Sequence, residues 1–435
     1  MIRSSLFTLA VLQATPAAGR DLDFTDACAP GPRLTVAAVG DLVMQPFVQY
    51  KGAREGFDSL WAPLEPLLAA ADVAYLNFEG AAAPDRNIWG VPLPHRDAAA
   101  LTRGLALLSF PRTRAALDPL AEPYTGYPRF NYPPRIAADL RRGGFDIVST
   151  SNNHALDRDS VGLGETLDAL DRAGVCHTGT RRHDGTDGWG TLLDVKGFRL
   201  AWLGCAEHTN GAKDPHGLVR RCFEPEARAA LLDEVARLRS TVDAIVVTAH
   251  WGWEYHTAPN KHQRALAVAL LEAGATIVLG THPHVPQPVE RYVTADDREG
   301  LVAYSLGNFV SAHFRDGTRE SFVLLVGLTR RADGRVVING VRTVPFWMEH
   351  RQGTRRMGVR PLQTNERGPR ARLAPSVDPR YEAPATPPID TTPGCAVPEV
   401  AVGASSVTAG PTTTALADAW PFRWPTEPSC QGLPR

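Results

Sequence analysis

Six short blocks of the chain combine carboxylate, amide and imidazole side chains in a way that chemistry could use. They are Gly40-Asp41, Asn77-Phe78-Glu79, Ser151-Asn152-Asn153-His154 with Asp157 close behind, His250-Trp251-Gly252, Gly280-Thr281-His282-Pro283-His284 and Ser305-Leu306-Gly307-Asn308. Together Asp, Glu, Asn and His form an oxygen- and nitrogen-rich donor set, which suits Mn, Zn or Fe better than thiolate-bound metals. Singly, each block has an ordinary explanation. Asp41 could cap a helix, Asn153-His154 could form a turn, and His250 could be a hydrogen-bonded structural residue. The HxH pair gains meaning from context: in an extended segment the rings of His282 and His284 would point the same way, with Pro283 stiffening the backbone between them.

What makes the blocks a set is where they fall. Apolar runs predict strands over 34–39, 73–78, 146–150, 199–204, 244–248, 276–280 and 301–305. Helical patterns intervene over 60–71, 134–142, 163–173, 226–239 and 262–273, the third with Leu163, Leu167 and Leu170 on one face and Gly174 as its stop. Strands alternating with helices predict a layered α/β fold. Two later strands, 322–328 and 336–341, read as a hairpin joined through Asp333-Gly334. The blocks follow strand ends, and in α/β sheets ligands bind beyond the carboxyl ends of the strands. One sheet edge would therefore gather them into a metal-dependent site.

The 435 residues carry 46 Lys plus Arg against 47 Asp plus Glu, a net charge of −1. That balance argues against a protein that clamps nucleic acid, which takes clustered cationic charge, and the 43% hydrophobic content excludes a wholly disordered chain. Residues 1–19 have a basic start, an apolar centre from Leu6 to Leu12 and a small-residue exit at Ala17-Ala18-Gly19. This is the layout of a signal peptide, too short for a stable transmembrane anchor, and it predicts a secreted or periplasmic protein. Cysteines at 28, 176, 205, 222, 395 and 430 fit a disulfide framework in such a compartment. Cys205 with Cys222, and Cys395 with Cys430, would each close a loop. The folded domain is expected over 33–350. From 351 to 435 the chain turns Arg-rich and then Pro/Thr-rich, which predicts a largely irregular tail, with Trp420, Phe422 and Trp424 available to pin it back.

The blocks resemble the CapA family of poly-γ-glutamate capsule synthesis proteins, whose domain is similar to the calcineurin-like metallophosphoesterases. The resemblance rests on Gly40-Asp41-Leu42-Val43-Met44, Asn77-Phe78-Glu79, Ser151-Asn152-Asn153-His154-Ala155-Leu156-Asp157, His250-Trp251-Gly252 with Glu254-Tyr255, the stretch from Gly280 to Gln287, and Ser305-Leu306-Gly307-Asn308-Phe309. It implies a four-layer α/β/β/α sandwich with the site at the sheet edge. By the phosphoesterase pattern Asp41 and His284 would bind one divalent metal, Asn153, His250 and His282 a second, and Glu79 would bridge them. His154 would be the general acid, with Asp157 catalytic beside it, and Asn77, Trp251, Glu254 and Asn308 would bind substrate. Two ions about 3.5–4 Å apart would activate water and stabilise developing negative charge.

The chain departs from that pattern at three places. Val43 stands where Asp-x-His would place a histidine, Glu79 stands where aspartate is usual, and Arg158-Asp159 follows Asp157 in place of an aromatic residue and glycine. The site is accordingly expected to hold one or two ions. The segment 80–132, with Trp89, His95, Arg96, Arg103, Arg112, Arg114, Tyr124 and Tyr127, is expected to roof the site and to offer arginines to phosphate or carboxylate groups. The resemblance implies a secreted metal-dependent hydrolase acting on a phosphoester or amide bond of a small substrate or cell-surface polymer, linked to capsule or poly-γ-glutamate metabolism and its assembly partners. The missing histidine at position 43 fits an alternative, a non-catalytic capsule-assembly or polyanion-binding protein that retains the fold.

Overall fold

A computed structural model describes residues 21–87, 90–93, 123–183, 185, 187–350, 357–387, 390–392 and 429–434. The chain begins with β1 (Arg33–Val43), α1 (Pro46–Glu55), α2 (Glu65–Ala70), β2 (Val73–Phe78), α3 (Ile136–Arg142), β3 (Ile147–Ser149), α4 (Asp159–Ala173) and β4 (Cys176–Thr178). It continues with β5 (Asp187–Val195), β6 (Phe198–Ala206), α5 (Pro225–Leu238), β7 (Ala244–His250), α6 (Lys261–Ala273), β8 (Ile277–Thr281), β9 (Val289–Val293) and β10 (Glu299–Ala303). Next come β11 (Asn308–Ser311), β12 (Glu320–Arg330), β13 (Val336–His350), β14 (Met357–Pro361), α7 (Arg367–Leu373) and β15 (Ser429–Pro434).

These strands form two sheets. One runs β14-β13-β12-β1-β2-β3-β4, with β11 also paired to β1; the other runs β15-β5-β6-β7-β8-β10-β9. Alternation along the strands decides what each face meets. In β1, Val36 and Ala38 face the other sheet while Ala37 and Val39 face α1, α2 and α3; in β7, Val246 points to the sheet interface and Ile245 and Val247 towards α5 and α6. Both faces of the central strands are thus buried, as the continuous apolar runs require. The result is the expected four-layer α/β/β/α arrangement. Across the interface Tyr75 stacks on Trp202 at 5.3 Å, and removing such a buried aromatic typically costs about 3–5 kcal/mol.

Several elements lie beyond the expected ones, and each has a local reason. The predicted helix over 60–71 breaks into two 3-10 turns before α2, because Pro63 and Pro66 interrupt it. Strands β4 and β11 are only a few residues long, and β9 carries Glu290 and Arg291 at a sheet edge, so no clear pattern marks them. β14 and α7 continue the fold beyond residue 350, and β15 pairs with β5, so these parts of the segment expected to be irregular are ordered. That pairing corrects one disulfide: Cys430 is bonded to Cys176, not to Cys395, because β15 lies beside β5 and close to β4. Cys205 is bonded to Cys222 as expected, and Cys28 is also disulfide-bonded. The signal peptide expected at 1–19, most of the 80–132 insertion, Cys395 and the aromatic residues Trp420, Phe422 and Trp424 lie outside the described residues. Among the described residues no helix is long and apolar enough to cross a membrane.

Candidate metal centre

Parallel pairing aligns the carboxyl ends that carry the donor residues. In the first sheet Asp41 of β1 is in register with Asn77 of β2 and with Asn308 of β11. In the second, His250 at the end of β7 is in register with Thr281 of β8. A bulge in the β1–β11 pairing follows Asp41, and Gly40 lets the two segments come together: a Cβ there would lie 1.8 Å from the Gly307 carbonyl oxygen. The sheets meet at Asp41, whose Oδ2 accepts a hydrogen bond from the His282 amide at 3.2 Å.

Around that junction the expected ligands converge. Asp41, Glu79 and His284 form one group whose donor atoms all lie within 4.8 Å of one another, and Glu79, His250 and His282 form another. Asn153 Oδ1 lies 2.9 Å from His250 Nε2, and His282 Nδ1 lies 3.1 Å from the same nitrogen. Glu79 belongs to both groups. It is fully buried, and neither carboxylate oxygen has a hydrogen-bond partner. A buried carboxylate left so would cost several kcal/mol if charged and uncompensated. Burial, and then the charge of Asp41, push Glu79 up to about 8. Burial and neighbouring imidazoles hold His250 and His282 well below the ordinary histidine range, so both present neutral nitrogen lone pairs. Burial works against charge on His284, but Glu79 and the contact with Asp41 outweigh it and raise it to about 9. A divalent cation fits this donor set, since it would compensate both carboxylates at once.

His282 and His284 are not in an extended segment. Both have left-handed backbones, with φ of 95° and 60°; the pair is divided between the two groups, while donor atoms of the two rings still lie within 4.8 Å of each other. Such strain in residues other than glycine persists where the surroundings enforce it, commonly at functional sites.

His154 sits at the edge of the cradle. Its Nδ1 is 2.7 Å from Asp157 Oδ2, which also accepts from the Phe130 amide, and Phe130 packs edge-on against the ring at 4.7 Å. Burial alone would lower the His154 pKa; the Asp157 charge and hydrogen bond outweigh it and raise it.

Of the residues expected to bind substrate, three have other surroundings. Asn77 is buried and bonds Asp41 Oδ1 at 2.8 Å, with His250 Nδ1 at 3.3 Å. Asn308 is buried and lies 3.0 Å from His284 Nδ1. Trp251 is buried in the layer between the second sheet and its helices, its indole donating to the Tyr304 carbonyl at 2.9 Å. Asn77 and Asn308 therefore orient donor residues, and Trp251 anchors its loop. Glu254 alone of the four is exposed.

Sequence reasoning missed other residues here. Asn210 bridges Asn153 and His154, at 3.3 Å from each. The His208 ring is 5.2 Å from that of His282, and His313 stacks on His284 at 4.5 Å. A signal existed for the first two: β6 runs on to Ala206, and Glu207, His208 and Asn210 follow its exit as the other blocks follow theirs.

Comparison with known proteins shows what the chain is similar to. Residues 115–313 match the family model "Bacterial capsule synthesis protein PGA_cap", a stretch that holds Asn153, His154, His250, His282 and His284. The chain is 26% identical over 314 residues to the PGA biosynthesis protein CapA of Bacillus subtilis, covering 71% of each chain. It is 27% identical over 331 residues to the capsule biosynthesis protein CapA of Bacillus anthracis, covering 73% of this chain and 70% of that one. Among solved structures, Haemophilus influenzae NAD nucleotidase aligns with a TM-score of 0.41 and 11% identity, over 81% of this chain and 57% of that one.

Proposed function

We propose, from the match of residues 115–313 to a bacterial capsule synthesis family model and the similarity to the CapA proteins, that the chain is an exported metal-dependent hydrolase in capsule or poly-γ-glutamate metabolism. Its substrate would be a phosphoester or an amide bond of an anionic cell-surface polymer. The observation that carries this reading is Glu79, a buried carboxylate with no hydrogen-bond partner placed between two groups of metal-ligating side chains. The bonded cysteines fit the oxidising compartment that export supplies.

Asp41 and His284 would hold one ion, and Asn153, His250 and His282 a second, with Glu79 shared. Divalent ions there would supply positive charge against a developing oxyanion and make a water molecule more acidic. The remaining work falls to the chain itself. Asp157 would keep His154 Nδ1 protonated and its ring fixed, leaving Nε2, beside Asn210, as the nitrogen that would carry a proton for the leaving oxygen. Asn77 and Asn308 hold Asp41 and His284 in place, as second-layer partners of metal ligands do.

A non-catalytic assembly role is the second reading, favoured by Val43, which is buried in an apolar layer and offers no nitrogen ligand. The two are separated by assaying generic phosphoester and γ-glutamyl amide substrates with and without Mn or Zn, using wild type, His154→Ala and His282→Ala. The hydrolase reading expects metal-dependent turnover, abolished in His154→Ala while its metal is retained. Metal-bearing wild-type protein without turnover on any of these substrates would favour the assembly role.

A further inference from the structure

We infer that Glu254 is a ligand of the metal centre, supplying on the His284 side the donor that position 43 lacks. The inference rests on the metal-centre reading above. Val43 follows the bulge after Asp41, and its side chain is buried among Leu42, Met44, Val48 and Phe57, in the layer between the first sheet and its helices. Position 43 therefore adds nothing to the cradle.

Glu254 approaches from the second sheet. The loop after β7 is fixed on both sides of it. On one side the buried Trp251 indole bonds the Tyr304 carbonyl, and the Gly252 amide donates to Glu207 Oε2 at 2.7 Å. On the other, the Tyr255 amide donates to the Pro283 carbonyl at 2.7 Å, with Tyr255 held at φ 65°. Pro283 lies between the two histidines, so this bond ties the Glu254 loop directly to them. The Glu254 carboxylate consequently lies with His282 and His284 in a third group whose donor atoms are all within 4.8 Å of one another. Two donors about 2.1 Å from a shared ion stand up to about 4.2 Å apart, so closure asks for less than an ångström of side-chain movement.

An exposed carboxylate near histidines is not by itself a site. Here the second observation is Glu79: fully buried, both oxygens unpartnered, and a member of the two other groups, which share His282 and His284 with the Glu254 group. All three groups thus overlap on one location. Glu254 stands with His282 and His284, and this group adjoins the Asp41–Glu79–His284 group through the shared His284. Glu254 would add a carboxylate where an Asp-x-His site adds an imidazole, a harder donor that suits Mn. Glu254 thereby changes from a substrate contact to a metal ligand that also caps the exposed side of the centre.

The test is calorimetric titration of Mn into the full, chelator-stripped chain, comparing wild type with Glu254→Gln, Glu254→Asp, Asp41→Asn and the exposed control Glu226→Gln on α5. Glu254→Gln should weaken Mn binding at least about tenfold, the lower end of what even outer-layer partners cost. Its melting temperature without metal should stay that of wild type. Glu254→Asp should keep part of the affinity, and Glu226→Gln all of it. Wild-type affinity in Glu254→Gln, with loss in Asp41→Asn, would overturn the role of Glu254 and leave the metal centre standing. A wild-type chain that takes up no Mn would overturn both.

Discussion

The surroundings of His154 favour its protonated form. The nearby Asp157 carboxylate raises its pKa despite burial. A general acid must be protonated to act, so activity should fall as pH rises through that elevated value. Asp157→Asn keeps the shape but removes the charge, and should move the alkaline limb of the kcat/KM profile to lower pH. An unmoved limb would mean that His154 is not the acid. The same pair adds folding stability that is fully present below the ordinary histidine range and is lost as pH rises through the raised pKa. At this scale the identity of the donors was legible, because few side chains bind divalent metals and each sat at a strand exit. Direction was not: Asn77, Asn308 and Trp251 have the chemistry of substrate contacts, yet each is turned inward and buried. Residue type says what a group can do, and only packing says which way it faces.

The elements around the site form a chain of supports. α6 begins with a capping box in which Asn260 accepts from the His262 and Gln263 amides and Gln263 returns a bond to the Asn260 amide. The Gln263 amide group then donates to Gln287 at 2.9 Å, and Gln287 to the His256 carbonyl at 2.7 Å. The helix start thereby braces both the Trp251–Tyr255 loop and the segment after His284. Gly252 is where this tolerates no side chain: its φ is 90°, and a Cβ would meet the Gln263 side chain at 2.6 Å. Gly252→Ala should displace the loop and weaken metal binding at least about tenfold, while costing stability of roughly 1–3 kcal/mol. Metal titration with thermal melting checks both, and unchanged binding would show the loop to be independent of the centre. The long buried strands were legible from their continuous apolar runs, β2 to the residue. β4, β9 and β11 were not, since three to five residues without a sustained apolar run carry no periodic signal, and the nine-residue β5 was not read either.

The whole molecule explains why no single segment contains the site. Asp41 and Glu79 come from the first sheet, His250, His282 and His284 from the second, and the two are joined there by the His282–Asp41 bond. A bound ion would therefore clamp the sheets together and stabilise the fold by linkage, by about 2.7 kcal/mol at a hundred times its dissociation constant. The layer order followed from the alternation of strands and helices, but the strand order and the Cys176–Cys430 bond did not. Both depend on contacts between distant segments, the disulfide across 254 positions, which local pattern does not encode. Glu79 sits where these donors would hold metal. Metal analysis of the chain purified without chelator, followed by Mn titration of wild type and Glu79→Gln, tests this placement most directly. Wild type should carry one or two ions and melt at a higher temperature with Mn, and Glu79→Gln should lose both. A wild-type chain that binds no divalent metal, or a Glu79→Gln variant that binds it equally well, would contradict it.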